Sequence, residues 1–114
     1  MLNDPSLLDR TFQALADPTR RGMLARLSRG PASVSDLARP LAMSLPAVLQ
    51  HLQALEASGL VKSEKKGRVR TVTIETAAMG AAERWFAEQR SVWEARADRL
   101  EDYLATLQNE GDKK

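Results

Sequence analysis

The chain of 114 residues contains no cysteine and a single histidine, His51. Without thiols it forms neither a disulfide nor a thiolate metal site, and one imidazole is a poor start for a zinc centre. No serine or aspartate stands in a recognisable catalytic relation to His51, and no glycine-rich phosphate loop is present. We therefore expect no enzymatic activity, no cofactor and no metal.

Long apolar runs are missing as well. No run approaches the ~20 residues that a membrane-spanning helix needs. The first residues, Met1 to Pro5, lack the basic and then apolar order of a signal peptide. The apolar fraction of 43% and the charged fraction of 28% are ordinary for a globular protein. These features predict a cytoplasmic protein without membrane contact.

Charge is unevenly distributed along the chain. Residues 1–78 carry 11 Lys/Arg against 7 Asp/Glu, a net charge of +4, whereas residues 79–114 carry 6 against 8, a net charge of −2. A basic first part and an acidic tail suit a chain that meets a polyanion with only part of its surface.

Helix-start signals recur in the first half of the chain. Asp4-Pro5 and Asp17-Pro18 each place a capping residue before a proline, and Ser33 with Asp36 resembles a capping box. Ser44 caps a further helix, which Gly59 is suited to end. Two helices joined by a short turn therefore lie between Ser33 and Gly59.

This helix pair resembles a helix-turn-helix, whose second helix enters the DNA major groove. Glutamine can pair with an adenine edge, and serine or alanine can meet a thymine methyl group. The alternative is that these polar residues are the solvated face of a core helix. The predicted DNA-binding residues of this helix are Ser44, Leu45, Pro46, Ala47, Gln50, His51 and Gln53.

A basic β-hairpin follows. The segment from Val69 to Ile74 alternates with a period of two and is rich in β-branched residues, and Gly67 provides a turn before it. Such a tip can reach phosphates or the minor groove, although a solvated basic loop is the simpler alternative. The predicted DNA contacts of this hairpin are Lys65, Lys66, Arg68 and Arg70. The order of elements predicts a mainly α fold with a small β-hairpin, a winged helix-turn-helix with a long C-terminal helix.

The long helix is expected at about residues 78–108. Its apolar residues repeat every seven positions from Met79 to Leu107, and a helix of about 30 residues is more than a small domain can cover. We therefore expect a homodimer held by this helix and by a first helix at about residues 5–16. The predicted interface residues are Leu8, Phe12, Leu15, Phe86, Trp93, Leu100 and Leu104. We expect a single domain over residues 1–110 and a frayed tail over 111–114.

Four stretches resemble the ArsR family of small bacterial regulators. They are Leu15 to Arg21, Val34 to Ala38, Met43 to Val61 and Lys66 to Arg68. The resemblance implies a homodimer that binds double-stranded DNA at a palindromic operator and represses transcription until a signal releases it. That signal is expected to be a small-molecule inducer.

Two departures from the family pattern are visible. Metal-sensing members carry cysteines in the helix that here spans residues 34–38, and others bind zinc through histidines on the last helix. Both residue types are missing from these places, so the chain resembles a cysteine-free subgroup without the metal-sensing motif. Leu49-Gln50 also stands where many relatives have a small polar residue and a Lys or Arg.

Two other functions fit the same residues. One is a protein-interaction module on a winged-helix fold, which the charge-poor helix from Ser44 to Ser58 would favour. The other is a ligand-responsive dimer with weak DNA binding, in which Trp85, Phe86 and Trp93 line a pocket between subunits. The basic hairpin favours DNA over the interaction module, and tryptophan fluorescence during ligand screening would test the ligand-responsive dimer.

Overall fold

The computed structural model describes residues 5–112. Within this range the elements are α1 (Pro5–Leu15), α2 (Pro18–Leu27), β1 (Ala32–Ser33), α3 (Val34–Ala38), α4 (Leu45–Ala57), β2 (Val61–Lys66), β3 (Val69–Ile74) and α5 (Ala77–Asp112). Contacts divide the chain at Ala82 into two units. We call residues 5–82 the winged-helix unit and residues 83–112 the helical extension, and describe each by itself.

Side-chain caps start the three helices of the middle segment. The carboxylate of Asp17 accepts a hydrogen bond from the Arg20 amide, and the Ser33 and Ser44 hydroxyls accept from amides three residues later. Each cap satisfies an amide that has no partner within the first helical turn. These three predicted starts are confirmed, whereas the predicted cap Asp4 lies outside the described residues.

The sheet has three antiparallel strands in the order β1-β3-β2. The predicted hairpin is the β2–β3 pair, with Gly67 in its turn at φ +62°. Strand β1 was not predicted, because two residues are too short to show an alternating pattern. It pairs Ala32 with Val72 and so ties the start of α3 to the hairpin.

The core of the winged-helix unit lies between α4, the sheet and the first helices. Val48, Leu55 and Leu60 are fully buried, and Val72 of β3 is 1% exposed. Gly59 connects α4 to β2 at φ +77°, a conformation that favours glycine, so the predicted end of the helix is confirmed. This core fixes the position of α4 against the hairpin.

The helical extension has a different character. Residues 83–110 are all exposed, and Trp85 and Phe86 form an edge-to-face pair with ring centroids 5.3 Å apart. Helix α5 continues to Asp112, beyond the predicted end near residue 108. Of the tail expected to be frayed, residues 111 and 112 therefore belong to the helix, and residues 113 and 114 lie outside the described residues. The predicted fold class, with its long C-terminal helix, is confirmed.

Candidate nucleic-acid interface

Helix α4 presents a nearly uncharged face to solvent. Val48, Leu52 and Leu55 are buried on its inner side. The predicted residues Ser44, Leu45, Pro46, Gln50 and Gln53 are exposed, and Ala47 and His51 are half-buried. This outer face can offer amide groups and small apolar groups to a base edge, but no positive charge.

Two leucines on this helix are exposed although they are large and apolar. Leu45 is 54% exposed and Leu49 is 44% exposed. The sequence pattern also placed Leu49 in the apolar stripe with Val48, Leu52 and Leu55, and for Leu49 this prediction is wrong, because only the other three face the core. Exposed apolar side chains on a charge-poor helix can meet thymine methyl groups or an apolar partner surface.

His51 contacts residues at the start of α2. The Nε of Arg20 donates a hydrogen bond to Nδ1 of His51 at 3.1 Å, and Oδ2 of Asp17 lies 3.8 Å from the same nitrogen. The backbone amide of Arg20, followed by the nearby His51 and Arg20 side chains, lowers the pKa of the Asp17 carboxyl. The sequence could not show this contact between residues 31 positions apart. It holds α4 against α2, while the predicted role of His51 at DNA stays a prediction.

The hairpin distributes its positive charges over both faces and the tip. Lys65 faces Arg70 across the strands, and both share a face with the Ser63–Val72 pair, whereas Lys66 pairs with Val69 on the opposite face. Arg68 follows the glycine of the turn. Among the described residues, the side chains of Lys65, Lys66 and Arg68 form no hydrogen bond or ion pair. Their charges are therefore available to a polyanion.

A groove of about 530 Å³ separates α4 from the hairpin. Residues of α4 line one side and residues of the sheet line the other. Prominent among them are Leu49, Gln50, Gln53, Glu56, Ser63 and Arg70. The structure thus brings three predicted residues of the helix, Pro46, Gln50 and Gln53, and one of the hairpin, Arg70, to a common surface.

Two residues of this groove were missed as functional candidates. Oε1 of Glu56 accepts hydrogen bonds from the Ser63 amide at 3.3 Å and from the Ser63 hydroxyl at 3.0 Å. The same hydroxyl accepts a hydrogen bond from the Arg70 guanidinium at 3.0 Å. Glu56 is the one formal charge of α4, which is a signal in the sequence, but its partners are set by the fold.

Metal and membrane features were sought over residues 5–112. This range contains no group of three or more His, Asp or Glu side chains placed to hold a metal ion. No helix in it combines the length and the apolar character that crossing a bilayer requires.

Known proteins that are similar in sequence to this chain also contain a helix-turn-helix domain. A family model described as a helix-turn-helix domain matches residues 15–64. The HTH-type transcriptional regulator Rv2034 of Mycobacterium tuberculosis is 44% identical over 73 residues, which span 64% of this chain and 68% of that relative.

The fold is also similar to that of solved structures. The crystal structure of an ArsR family transcriptional regulator is 53% identical, with a TM-score of 0.78, and the match covers 82% of this chain and 97% of the other. The solution structure of a homodimeric winged helix-turn-helix DNA-binding domain from Mycobacterium bovis is 28% identical, with a TM-score of 0.58. That match covers 82% of this chain and 84% of the other.

Proposed function

The chain belongs to the ArsR family of winged helix-turn-helix transcriptional regulators, and we propose that it is a repressor that binds a palindromic operator as a homodimer. The observation that carries the proposal is the pairing of two unlike surfaces across one groove. On one side lies the outer face of α4, whose one formal charge is Glu56, and on the other lies the hairpin, which brings Arg70 to the groove and carries Lys65, Lys66 and Arg68 outside it. Base reading and phosphate attraction require these two kinds of surface.

The two surfaces have separate tasks. The outer face of α4, with Gln50 and Gln53, reads base edges in the major groove. Lys65, Lys66 and Arg68 attract phosphates without regard to sequence, because their charge is unpaired among the described residues. A homodimer doubles both surfaces and matches a palindrome of two half-sites.

The homodimer is supported by the exposed apolar residues of the helical extension. Phe86, Trp93, Leu100 and Leu104 are between 53% and 69% exposed, a larger apolar surface than a monomer normally leaves in water. We propose that a second copy covers them, that Leu8, Phe12 and Leu15 contribute, and that residues 1–110 act as one domain. The M. bovis relative is described as homodimeric.

The signal that releases the operator is proposed to be a small-molecule inducer in the cytoplasm, and no enzymatic step is assigned to the chain. Thiolate metal sensing requires cysteine, of which the sequence has none. Calorimetry with zinc, copper and arsenite should therefore detect no tight site. One stoichiometric site per subunit that weakens DNA binding would contradict this part of the proposal.

The operator is found by selection. The purified protein is incubated with a library of random duplexes, and the bound fragments are sequenced and tested by fluorescence anisotropy at several salt concentrations. Enrichment of a palindrome supports the proposal, and a chain that enriches no duplex contradicts it.

Two variants then separate the tasks of helix and hairpin. Arg68→Ala should weaken binding to every duplex and reduce the salt slope by about one unit, because one phosphate contact releases its counterion. Gln50→Ala should leave the salt slope unchanged and lose about 1–3 kcal/mol of discrimination at one base pair. Equal effects of both variants on operator and scrambled duplexes would contradict the division.

The exposed leucines favour a second candidate, a protein-interaction module that uses the same face. Leu45 and Leu49 would then be the contacts, and binding would depend little on salt. If Arg68→Ala binds DNA as well as the parent at every salt concentration, the hairpin is not a DNA contact and this second function is favoured.

A further inference from the structure

The hydrogen bonds from Glu56 through Ser63 to Arg70 form a chain that the proposed function does not use. Resting on that function, we propose that the groove between α4 and the hairpin binds one DNA phosphodiester, and that Glu56 and Ser63 are positioning residues that hold Arg70 at this phosphate.

The strand register shows why Ser63 can make this connection. The Glu75 amide donates to the Leu60 carbonyl at 2.8 Å, so those two residues form a hydrogen-bonded pair of the antiparallel ladder. Because such pairs alternate, Ser63 belongs to a pair without cross-strand hydrogen bonds, and its amide points away from β3. Strand β2 is at the edge of the sheet, so this amide needs a partner outside the sheet, and Glu56 provides it.

The same register brings two like charges together. Lys65 and Arg70 face each other two positions farther along, again in a pair without cross-strand hydrogen bonds, where the backbones are closest. Like charges directly opposite each other destabilise a hairpin. The bond to Ser63 fixes the guanidinium of Arg70 despite this repulsion, and a bound phosphate would offset it further.

The position of the groove suggests what occupies it. A winged helix-turn-helix places its second helix in the major groove, and a hairpin tip can reach the minor groove. A phosphodiester strand separates the two grooves of a duplex, so the space between helix and hairpin faces that strand. Arg70 lines this space beside Gln50 and Gln53, and a guanidinium with two neutral amides suits a phosphate.

Whether removing Glu56 tightens or weakens DNA binding tests the proposed role of this residue. Removing an acidic side chain from a DNA-facing surface should tighten binding, because it removes a repulsion. If Glu56 positions Arg70, Glu56→Ala should instead weaken binding about fivefold, as expected for loss of a structural hydrogen bond. Glu64→Ala is the matched control, because it also removes one negative charge. Glu64 lies on the same hairpin, next to Ser63 but on the opposite face of the sheet.

Ser63 gives a second pair of variants. Ser63→Ala removes the hydroxyl that accepts from Arg70 and should also weaken operator binding about fivefold. Ser63→Thr retains the hydroxyl and a side chain that strands accept, and should bind as the parent does. Thermal unfolding of each variant shows whether the fold itself has changed.

The decisive measurement locates the phosphate. The selected operator is prepared as a series of duplexes in which one phosphate at a time is replaced by a neutral methylphosphonate. We expect one position at which neutralisation weakens the parent but has no effect on Arg70→Ala, Glu56→Ala or Ser63→Ala. Neutralising the phosphates that Arg68 contacts should still weaken the binding of these three variants.

Two results would overturn the inference alone. One is that Glu56→Ala tightens binding as Glu64→Ala does. The other is that neutralising the phosphate to which Arg70→Ala has become insensitive still weakens the binding of Glu56→Ala and Ser63→Ala. If the parent selects no duplex at all, the proposed function is overturned and the inference with it.

Discussion

The two units of the chain differ in the exposure of their large apolar side chains. In the winged-helix unit, Val48, Leu55 and Leu60 are completely buried, whereas in the helical extension Trp93 is 69% exposed. An α-helix by itself cannot bury a stripe of side chains and depends on packing against another element. The core of the first unit is therefore formed within one copy, whereas the exposed stripe of the second unit is consistent with the proposed dimer.

The largest effect is expected where that partner would pack. By analogy with aromatic truncations in protein cores, Trp93→Ala should cost about 3–5 kcal/mol of dimer stability. Sedimentation should therefore show a monomer or a misfolded chain. Val92→Ala is the control, because Val92 is also exposed but lies outside the seven-residue repeat. A Trp93→Ala protein that is fully dimeric would remove the explanation given for the exposed stripe.

A truncation in the core of the winged-helix unit should also destabilise the protein. Leu55→Ala should lower the free energy of unfolding by about 2–5 kcal/mol, because the side chain is fully buried and leaves a cavity. Urea unfolding at a fixed protein concentration measures the change. Leu49→Ala, on the exposed face of the same helix, should stay within about 0.5 kcal/mol of the parent. Similar losses for both leucines would contradict the placement of Leu55 in the core and of Leu49 at the surface.

A backbone effect of intermediate size is expected at the end of α4. Gly59→Ala places a side chain at φ +77° and should cost about 1–2 kcal/mol, although a Cβ there would meet only an ordinary contact with Ala78. Gly22 lies within helix α2 with open space around it, so Gly22→Ala should stabilise the protein by up to about 1 kcal/mol. Thermal unfolding of the two variants should therefore shift in opposite directions, and equal shifts would show that φ does not decide the outcome.

The smallest effect concerns pH. The Arg20 amide lowers the pKa of Asp17, and the Ser33 side chain lowers that of Asp36. Because the folded pKa lies below the unfolded one, each carboxylate stabilises the fold above the unfolded pKa and loses this contribution as pH falls through the folded value. Asp17→Asn keeps an oxygen for the cap and should flatten the stability profile between the ordinary carboxyl pKa and more acidic pH.

The control for the pH prediction is Asp9→Asn in the same unit. Asp9 is exposed, and its side chain forms no hydrogen bond or ion pair with the described residues. The variant should follow the parent over the whole acid range in unfolding measured by circular dichroism. If Asp17→Asn also follows the parent, the cap contributes nothing that depends on pH.

Local sequence signals predicted the elements well. Asp17, Ser33 and Ser44 cap helices within three residues of their own position, and Gly59 and Gly67 take the positive φ values that their places require. Capping and turn geometry depend on the nearest neighbours in the chain, so they can be inferred from order alone. The seven-residue repeat similarly predicted the long helix that α5 forms.

Contacts between distant residues could only come from the tertiary structure. The pairing of β1 with β3, the bond from Arg20 to His51 and the chain from Glu56 to Arg70 join elements that no local pattern connects. Periodicity places a side chain on a face of a helix or strand, but core packing decides which other element that face meets. The sequence alone therefore determined the winged helix-turn-helix and its candidate residues, while the tertiary structure decided which of those residues share a groove and which are held by partners.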